Sequence, residues 1–176
     1  MSYNIKKAVV LGAGVMGASI AAHLTNAGIG CVLLDIIPFE LTEADKGKGL
    51  TEKSPEWRNR FAANGLNAAV KSKPASFYTK KNASMIKVGN FEDNLTWLSD
   101  VDWVIEVVIE NLKIKQELFA KVEKVIKPEC IVSTNTSGIP IKDISANFGP
   151  NLKKNFLGTE LTIADKKRLE VSMALA

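Results

Sequence analysis

Three glycines follow a short apolar run near the start of this chain of 176 residues. The run is AVVL at 8–11, and the glycines stand at positions 12, 14 and 17 in the sequence GAGVMG. A continuous apolar run that ends in glycine is typical of a strand buried on both faces of a parallel sheet. From 15 to 26, apolar and small residues recur at helical spacing, and Gly28 indicates the end of that helix. The segment is therefore predicted to form a strand, a tight turn and a helix.

Predicted strands and helices alternate along most of the remaining chain. Apolar runs predict strands at 31–36, 84–91 and 103–108, a further strand from 130, and a last one at 154–159. Helical spacing covers 112–126, ended by Pro128, and 141–149. This alternation predicts an α/β fold, with a Rossmann-type, doubly wound and mostly parallel sheet in a single domain over 1–176.

The stretch 38–84 is the least regular part of the sequence. It begins like a helix and loses that character around Gly47 and Gly49. Residues 54–73 again show helical spacing, with a break expected near Gly65. We expect a helical excursion from the sheet at about 40–84, which carries most of the scattered cations.

The surroundings of the glycines make their spacing informative. G-x-G-x-x-G alone is a weak pattern, but here it ends a predicted strand, opens a helix and precedes Asp35 at the end of the second strand. In a dinucleotide site the first glycine permits the turn, the second lets the backbone approach the pyrophosphate, and the third packs the helix on the strand. The helix N-terminus adds N–H groups and a partial positive charge. The alternative is that the glycines serve packing alone and that Asp35 caps the next helix.

Asp35 indicates which dinucleotide is bound. A carboxylate there accepts hydrogen bonds from the hydroxyls of the adenosine ribose and repels a 2′-phosphate, and no arginine stands beside it. NAD is therefore favoured over NADP as the cofactor. The predicted cofactor-binding residues of this region are Gly12, Ala13, Gly14, Val15, Met16, Gly17 and Asp35.

Two more polar segments follow predicted strands, at the edge of the sheet where ligands bind in such folds. Glu110 stands at the end of the fourth strand and Lys115 about one helical turn further, so the two could bracket a polar ligand. The equally good alternative is an exposed helix start with Lys115 on a solvated face.

Ser137 belongs to STNTSG, a run of small polar residues after the fifth strand. Because buried hydroxyls and amides need partners, this run suits a ligand-holding loop, and a simple turn or helix cap is the alternative.

Composition and charge narrow the classes of ligand, metal site and cellular location that this sequence is compatible with. The net charge is +4, but 23 Lys and Arg are scattered among 19 Asp and Glu, which favours anionic small ligands over nucleic acid as partners. Cys31 and Cys130 lie in or beside apolar runs without metal-ligand spacing, which predicts free buried thiols and no metal site. We find no secretory-signal pattern and no run of about 20 apolar residues that would span a membrane, so we expect a cytoplasmic protein.

Taken together, these segments resemble the nucleotide-binding domain of the 3-hydroxyacyl-CoA dehydrogenases. The resemblance covers about residues 6–159 and is carried by GAGVMG, VIEVVIENLKIKQELF and STNTSGIPI. The excursion is similar to that of bacterial long-chain members of fatty-acid β-oxidation. Such enzymes oxidise an L-3-hydroxyacyl-CoA to the 3-ketoacyl-CoA with NAD. The resemblance implies that Glu110 and Lys115 contact the cofactor near its nicotinamide half and that Ser137 hydrogen-bonds the reacting oxygen.

The sequence after FLGT departs from this family. The family has a His there that takes the hydroxyl proton, whereas this chain has Glu160. A solvated Glu has a pKa about two units below that of His and is a poor base for an alcohol near neutral pH. The one histidine, His23, lies on the first predicted helix among apolar residues. KRLEV resembles the family strand whose Glu orients the His, which would give Glu170 that role, although 162–176 is also compatible with a helix.

We therefore expect NAD binding with little or no turnover by this chain. It ends before the helical domain that, by resemblance, closes over the acyl-CoA substrate and forms a homodimer, so a fragment of a larger enzyme is expected. Two alternatives stay open: a non-catalytic NAD-binding module or sensor, and a dehydrogenase of another small β-hydroxy acid. The sensor needs the glycine turn and Asp35, whereas acyl-CoA oxidation needs the segments of Glu110 and Ser137 to face one cleft.

Overall fold

A six-stranded sheet forms the framework of the computed structural model, which describes residues 5–157. The strands are β1 (Lys7–Leu11), β2 (Gly30–Asp35), β3 (Ile86–Asn90), β4 (Trp103–Glu106), β5 (Ile131–Thr134) and β6 (Phe156–Leu157). Their order across the sheet is β3-β2-β1-β4-β5-β6, and every described pair is parallel. The prediction of a doubly wound parallel sheet is confirmed.

This strand order determines where a ligand site forms. The chain builds the sheet outward from β1 to one side through β2 and β3, and then returns to the other side of β1 with β4. The loops that follow β1 and β4 consequently leave in different directions and open a crevice at the carboxyl ends of the strands. The predicted site segments all follow the carboxyl end of a strand.

Helices cover the sheet and join its strands. They are α1 (Val15–Asn26), α2 (Glu43–Gly47), α3 (Pro55–Arg58), α4 (Arg60–Lys71), α5 (Lys80–Ala83), α6 (Leu112–Val122), α7 (Ile141–Ile144) and α8 (Pro150–Asn155), with 3₁₀ turns at Leu95–Asp100 and Ser145–Asn147. Within the described residues, none of these helices has the length and apolar character needed to cross a bilayer.

Alternate residues of β1 face the two halves of the core. Val9 packs with Phe119 of α6 in one cluster, whereas Val10 packs with Leu24 of α1 in the other. The last four residues of β1, from Ala8 to Leu11, are fully buried. A strand with both faces covered reads as a continuous apolar run because neither face meets water.

The predicted helical excursion is present, as the four helices α2 to α5. Thr42 and Asp45 form a capping box at the start of α2, in which each side chain accepts from the backbone N–H of the other. Asp45 also accepts two hydrogen bonds from the guanidinium of Arg60, and Arg58 makes the same paired contact with Asp93 beyond β3. The Asp45–Arg60 ion pair therefore connects α2 to α4 within the excursion, and the Arg58–Asp93 ion pair connects α3 to the segment that follows β3.

Several predicted boundaries were wrong. The break expected at Gly65 is absent, because α4 runs through it and the interruption falls earlier, at Asn59. β4 ends at Glu106 rather than at 108, since the Glu106 carboxylate accepts from the N–H of Val108 and turns the chain. Helix α8, which starts with Pro150 at its first turn, was not predicted.

Candidate functional site

The glycine turn connects β1 to α1 through two close backbone contacts. Gly12 has a φ of +108°, and a Cβ built on it would lie 2.7 Å from the carbonyl oxygen of Val107. A Cβ on Gly17 would lie 1.9 Å from the carbonyl oxygen of Gly12. Both positions therefore exclude a side chain, the first for its conformation and the second because α1 passes so near the turn.

Gly14 differs from the other two glycines. It is exposed, it is the N-cap of α1, and nothing lies within 4 Å of a Cβ built on it. The first N–H groups of a helix have no partner inside the helix, and among the described residues no side chain caps those of α1. The turn therefore presents open backbone donors where a phosphate could approach.

Asp35 lies beside this turn, at the end of β2. Its Oδ2 accepts from the N–H of Ala13 at 2.7 Å, and its Oδ1 accepts from the N–H of Ile36 at 2.7 Å. Each carboxylate oxygen retains acceptor capacity, because an ionised carboxylate offers about four lone-pair sites. The alternative that Asp35 caps the next helix was wrong, since Thr42 caps α2.

Helix α4 supports the turn from the outside. A Cβ on Gly65 would lie 2.1 Å from the carbonyl oxygen of Ala13, so the helix backbone rests on the turn. Beside this contact a cavity of about 660 Å³ opens between α1 and α4, within the size range of small-molecule sites. Its lining includes Gly14, Val15, Asp35, Ile36, Phe61 and Asn64. The glycine mistaken for a helix break is thus a packing contact with the site.

Glu110 joins the other two predicted segments. Its Oε1 accepts from the N–H of Ser137 at 2.9 Å and of Gly138 at 3.4 Å, and its Oε2 accepts from the hydroxyl of Thr136 at 3.0 Å. These donors, led by the Ser137 N–H, lower the pKa of the Glu110 carboxyl. The structure brings Glu110 and the exposed Ser137 together at the carboxyl edge of the sheet.

Lys115 points inward rather than into solvent. Its side chain is 1% exposed, and its Nζ donates to Glu106 Oε1 at 2.7 Å and to the carbonyl oxygen of Val108 at 3.1 Å. The alternative of a lysine on a solvated face was wrong. The partner expected from the spacing, Glu110, is not the one found, because the ammonium is paired with Glu106 instead.

Sequence reasoning missed Glu106. It is fully buried at the end of β4, and its Oε2 accepts from the hydroxyl of Thr134 at 2.5 Å. The signal was available: a glutamate inside the apolar run WVIEVV has to find a buried partner, and Lys113 and Lys115 are the first cations that follow it.

The remaining sequence-based candidates have different outcomes. Glu160 and Glu170 lie outside the described residues, so their roles stay predictions. His23 is half-buried on α1.

Cys31 and Cys130 are free and buried, as predicted, and burial raises the pKa of the Cys31 thiol to about 12. Over residues 5–157, no group of three or more His, Cys, Asp or Glu is placed to hold a metal ion.

Comparison with known proteins supports the same assignment independently of the geometry. Residues 7–159 match the family described as 3-hydroxyacyl-CoA dehydrogenase, NAD binding domain. A probable 3-hydroxyacyl-CoA dehydrogenase of Bacillus subtilis is 46% identical over 90% of this chain, and a putative fatty acid oxidation complex trifunctional enzyme of Rickettsia felis is 34% identical over 90%. The crystal structure of FadB2 from M. tuberculosis superposes with a TM-score of 0.58 at 26% identity, covering 92% of this chain and 50% of that one.

The matches to the Bacillus and Rickettsia relatives cover a small part of those proteins but most of this chain. This chain spans about a fifth of the length of the Bacillus and Rickettsia relatives. The family match, by contrast, extends over most of this chain and contains the glycine turn, Asp35, Glu110 and Ser137. The chain therefore belongs to the family of NAD-binding domains of 3-hydroxyacyl-CoA dehydrogenases.

Proposed function

We propose that this chain binds NAD across the carboxyl edge of its sheet, as the cofactor domain of an enzyme that oxidises an L-3-hydroxyacyl-CoA to the 3-ketoacyl-CoA. The pyrophosphate lies on the turn 12–17, with its phosphates against the backbone at Gly14. The adenosine ribose binds Asp35. The nicotinamide half extends toward Glu110 and Ser137, and the buried Lys115 lies behind the loop that carries Glu110.

One observation carries this proposal: four segments that are separate in the sequence meet along one edge of the sheet. Asp35 is bonded to Ala13 of the turn, Val107 of the next loop contacts Gly12, and Glu110 of that same loop is bonded to Ser137. The edge therefore forms a continuous path from the ribose residue to the candidate substrate residue. A sensor that used the turn and Asp35 alone would not need the Glu110–Ser137 contact.

The chemistry of the site divides between cofactor and chain. When bound, NAD accepts the hydride that leaves the substrate carbon. Ser137 is exposed and its Oγ lies 3.4 Å from Glu110 Oε1, so its hydroxyl is available to exchange that weak bond for one to the substrate oxygen. Glu110 keeps the loop in place through its backbone bonds while the hydroxyl changes partner.

The cofactor assignment is tested by calorimetric titration with NAD and NADP. The unaltered chain is expected to bind NAD at least tenfold more tightly, because Asp35 accepts from the ribose hydroxyls and repels a 2′-phosphate. Asp35→Asn keeps an oxygen that can accept from Ala13 but loses the charge, so it is expected to abolish most of this preference. Glu40→Ala, at an exposed acid of the loop that follows, is the control. Equal affinity of the unaltered chain for both cofactors would contradict the proposal.

Turnover is a separate expectation. Because Glu160 stands where the family has its proton-accepting His, the chain is expected to reduce NAD with a 3-hydroxyacyl-CoA at a rate close to background. NADH absorbance in a coupled assay near neutral pH measures this. Turnover at ordinary enzyme rates would show that Glu160 or another group serves as the base.

The location of the protein and its assembly are two further parts of the proposal. We place the protein in the cytoplasm, which is supported by two buried free thiols and by bacterial relatives. An acyl-CoA is the substrate of the whole enzyme, as the names of the relatives suggest, and a homodimer is expected where the helical domain is present.

A further inference from the structure

We propose that the buried Glu106–Lys115 ion pair positions the nicotinamide half of the site, with Glu106 as its central positioning residue. The inference rests on the proposed NAD binding and adds a residue that touches neither cofactor nor substrate. It assigns Lys115 a role behind the binding surface, in the support of the loop that follows β4.

The Glu106 carboxylate ties together three segments. Its Oε1 accepts from Lys115 Nζ on α6 at 2.7 Å and from the N–H of Val108 at 2.6 Å, and its Oε2 accepts from the Thr134 hydroxyl at the end of β5 at 2.5 Å. Lys115 also donates to the carbonyl oxygen of Val108 at 3.1 Å. Both polar groups of the Val108 backbone are therefore held by the ion pair.

Burial makes a purely stabilising role a poor explanation. Glu106 is 0% and Lys115 is 1% exposed, so both charges have lost their water. Desolvation of such a pair offsets much of its attraction, and well-packed apolar residues of similar volume often stabilise a fold as well. The ion pair holds the polar backbone of the loop in a fixed position through hydrogen bonds. Apolar side chains could not do this.

The loop held in this way carries the candidate site. Its first residue, Val107, donates to Leu11 at 2.8 Å, and its carbonyl lies against Gly12 of the turn. Its later residue Glu110 holds Ser137. A shift at Val108 would therefore move the nicotinamide end of the site and leave Asp35, on the far side of β1, in place.

This difference between the two halves of the site gives the test. ADP carries the adenosine and both phosphates but lacks the nicotinamide half. Glu106→Gln is expected to weaken NAD binding about tenfold and to change ADP binding less than twofold, in calorimetric titrations of the full chain. The emission spectrum of bound NADH provides a second readout, and the variant should lose the shift that an ordered nicotinamide environment produces.

Controls separate positioning from general damage. Glu92→Gln alters an exposed Glu that pairs with Lys121 at 3.5 Å, and it should change neither affinity. If Glu106→Gln fails to fold by circular dichroism, Thr134→Val removes a single bond to Glu106 while keeping both charges, and about a threefold loss for NAD alone is expected.

The outcomes distinguish the two proposals. If the unaltered chain binds neither NAD nor ADP, the proposed function fails. If it binds NAD no more tightly than ADP, or if the folded variants lose both ligands equally or neither, the proposed function can stand and the positioning role is overturned.

Discussion

Replacing Gly14 by Ala is expected to remove most NAD binding and to leave the fold intact. Gly14 has φ −64° and ψ −175°, a conformation that alanine adopts without strain, and an added Cβ would meet nothing within 4 Å. The free energy of unfolding should change by less than about 1 kcal/mol, the range of an N-cap exchange. The new methyl group would stand where the pyrophosphate approaches the backbone, so we expect the Kd for NAD to rise at least tenfold.

Two other glycines provide the comparison. Gly17→Ala would place its Cβ 1.9 Å from the carbonyl oxygen of Gly12, so this variant should lose stability as well as binding. Gly47→Ala, in α2 with nothing near its added Cβ, should leave NAD binding unchanged and should not lower stability, because alanine is the better helix former. Calorimetry measures binding, and thermal unfolding measures stability. Wild-type NAD affinity in a folded Gly14→Ala variant would mean that the cofactor does not pass over this residue.

Replacing Lys115 by Met is expected to have the largest effect on stability. The variant would leave the fully buried Glu106 carboxylate without its cation, and loss of one partner from a buried pair costs about 3–5 kcal/mol. Urea unfolding monitored by circular dichroism measures the change. Lys113→Met is the matched control, because Lys113 lies on the same helix with its side chain 86% exposed and 3.9 Å from Glu117. Exposed pairs of this kind contribute about 0.3–0.5 kcal/mol.

A second substitution tests whether the unpaired charge is the cause. Combining Lys115→Met with Glu106→Gln removes both charges, and we expect most of the lost stability to return. The combined variant should still bind NAD weakly if the ion pair positions the loop. A cost below about 1 kcal/mol for Lys115→Met alone would contradict the burial of an ionised pair.

The sheet and the glycine turn could be predicted because their signals are local. Residues 8–11 are apolar without interruption because β1 is covered on both faces, and the glycines follow where the chain has to turn. The same reasoning predicted that Glu110 and Ser137 would share one edge, since the carboxyl ends of parallel strands meet there. This reasoning is compatible with a direct hydrogen bond between the two residues, but it does not say which atoms form that bond.

Contacts between distant segments were beyond the sequence. Gly65 was expected to break a helix, because glycine is a weak helix former, and the reason for its presence, the carbonyl of Ala13, lies over fifty residues away. Glu110 and Lys115 were paired by their spacing, but burial of Glu106 inside the β4 run brought the lysine inward.

The sequence by itself determined the fold class, the cofactor family and the edge of the sheet at which the site lies, because strand burial, glycine turns and acidic strand ends follow from local pattern. The tertiary structure alone decided which charges pair. An ion pair depends on which side chains lose water together, and that is settled when β4, β5 and α6 pack around Glu106.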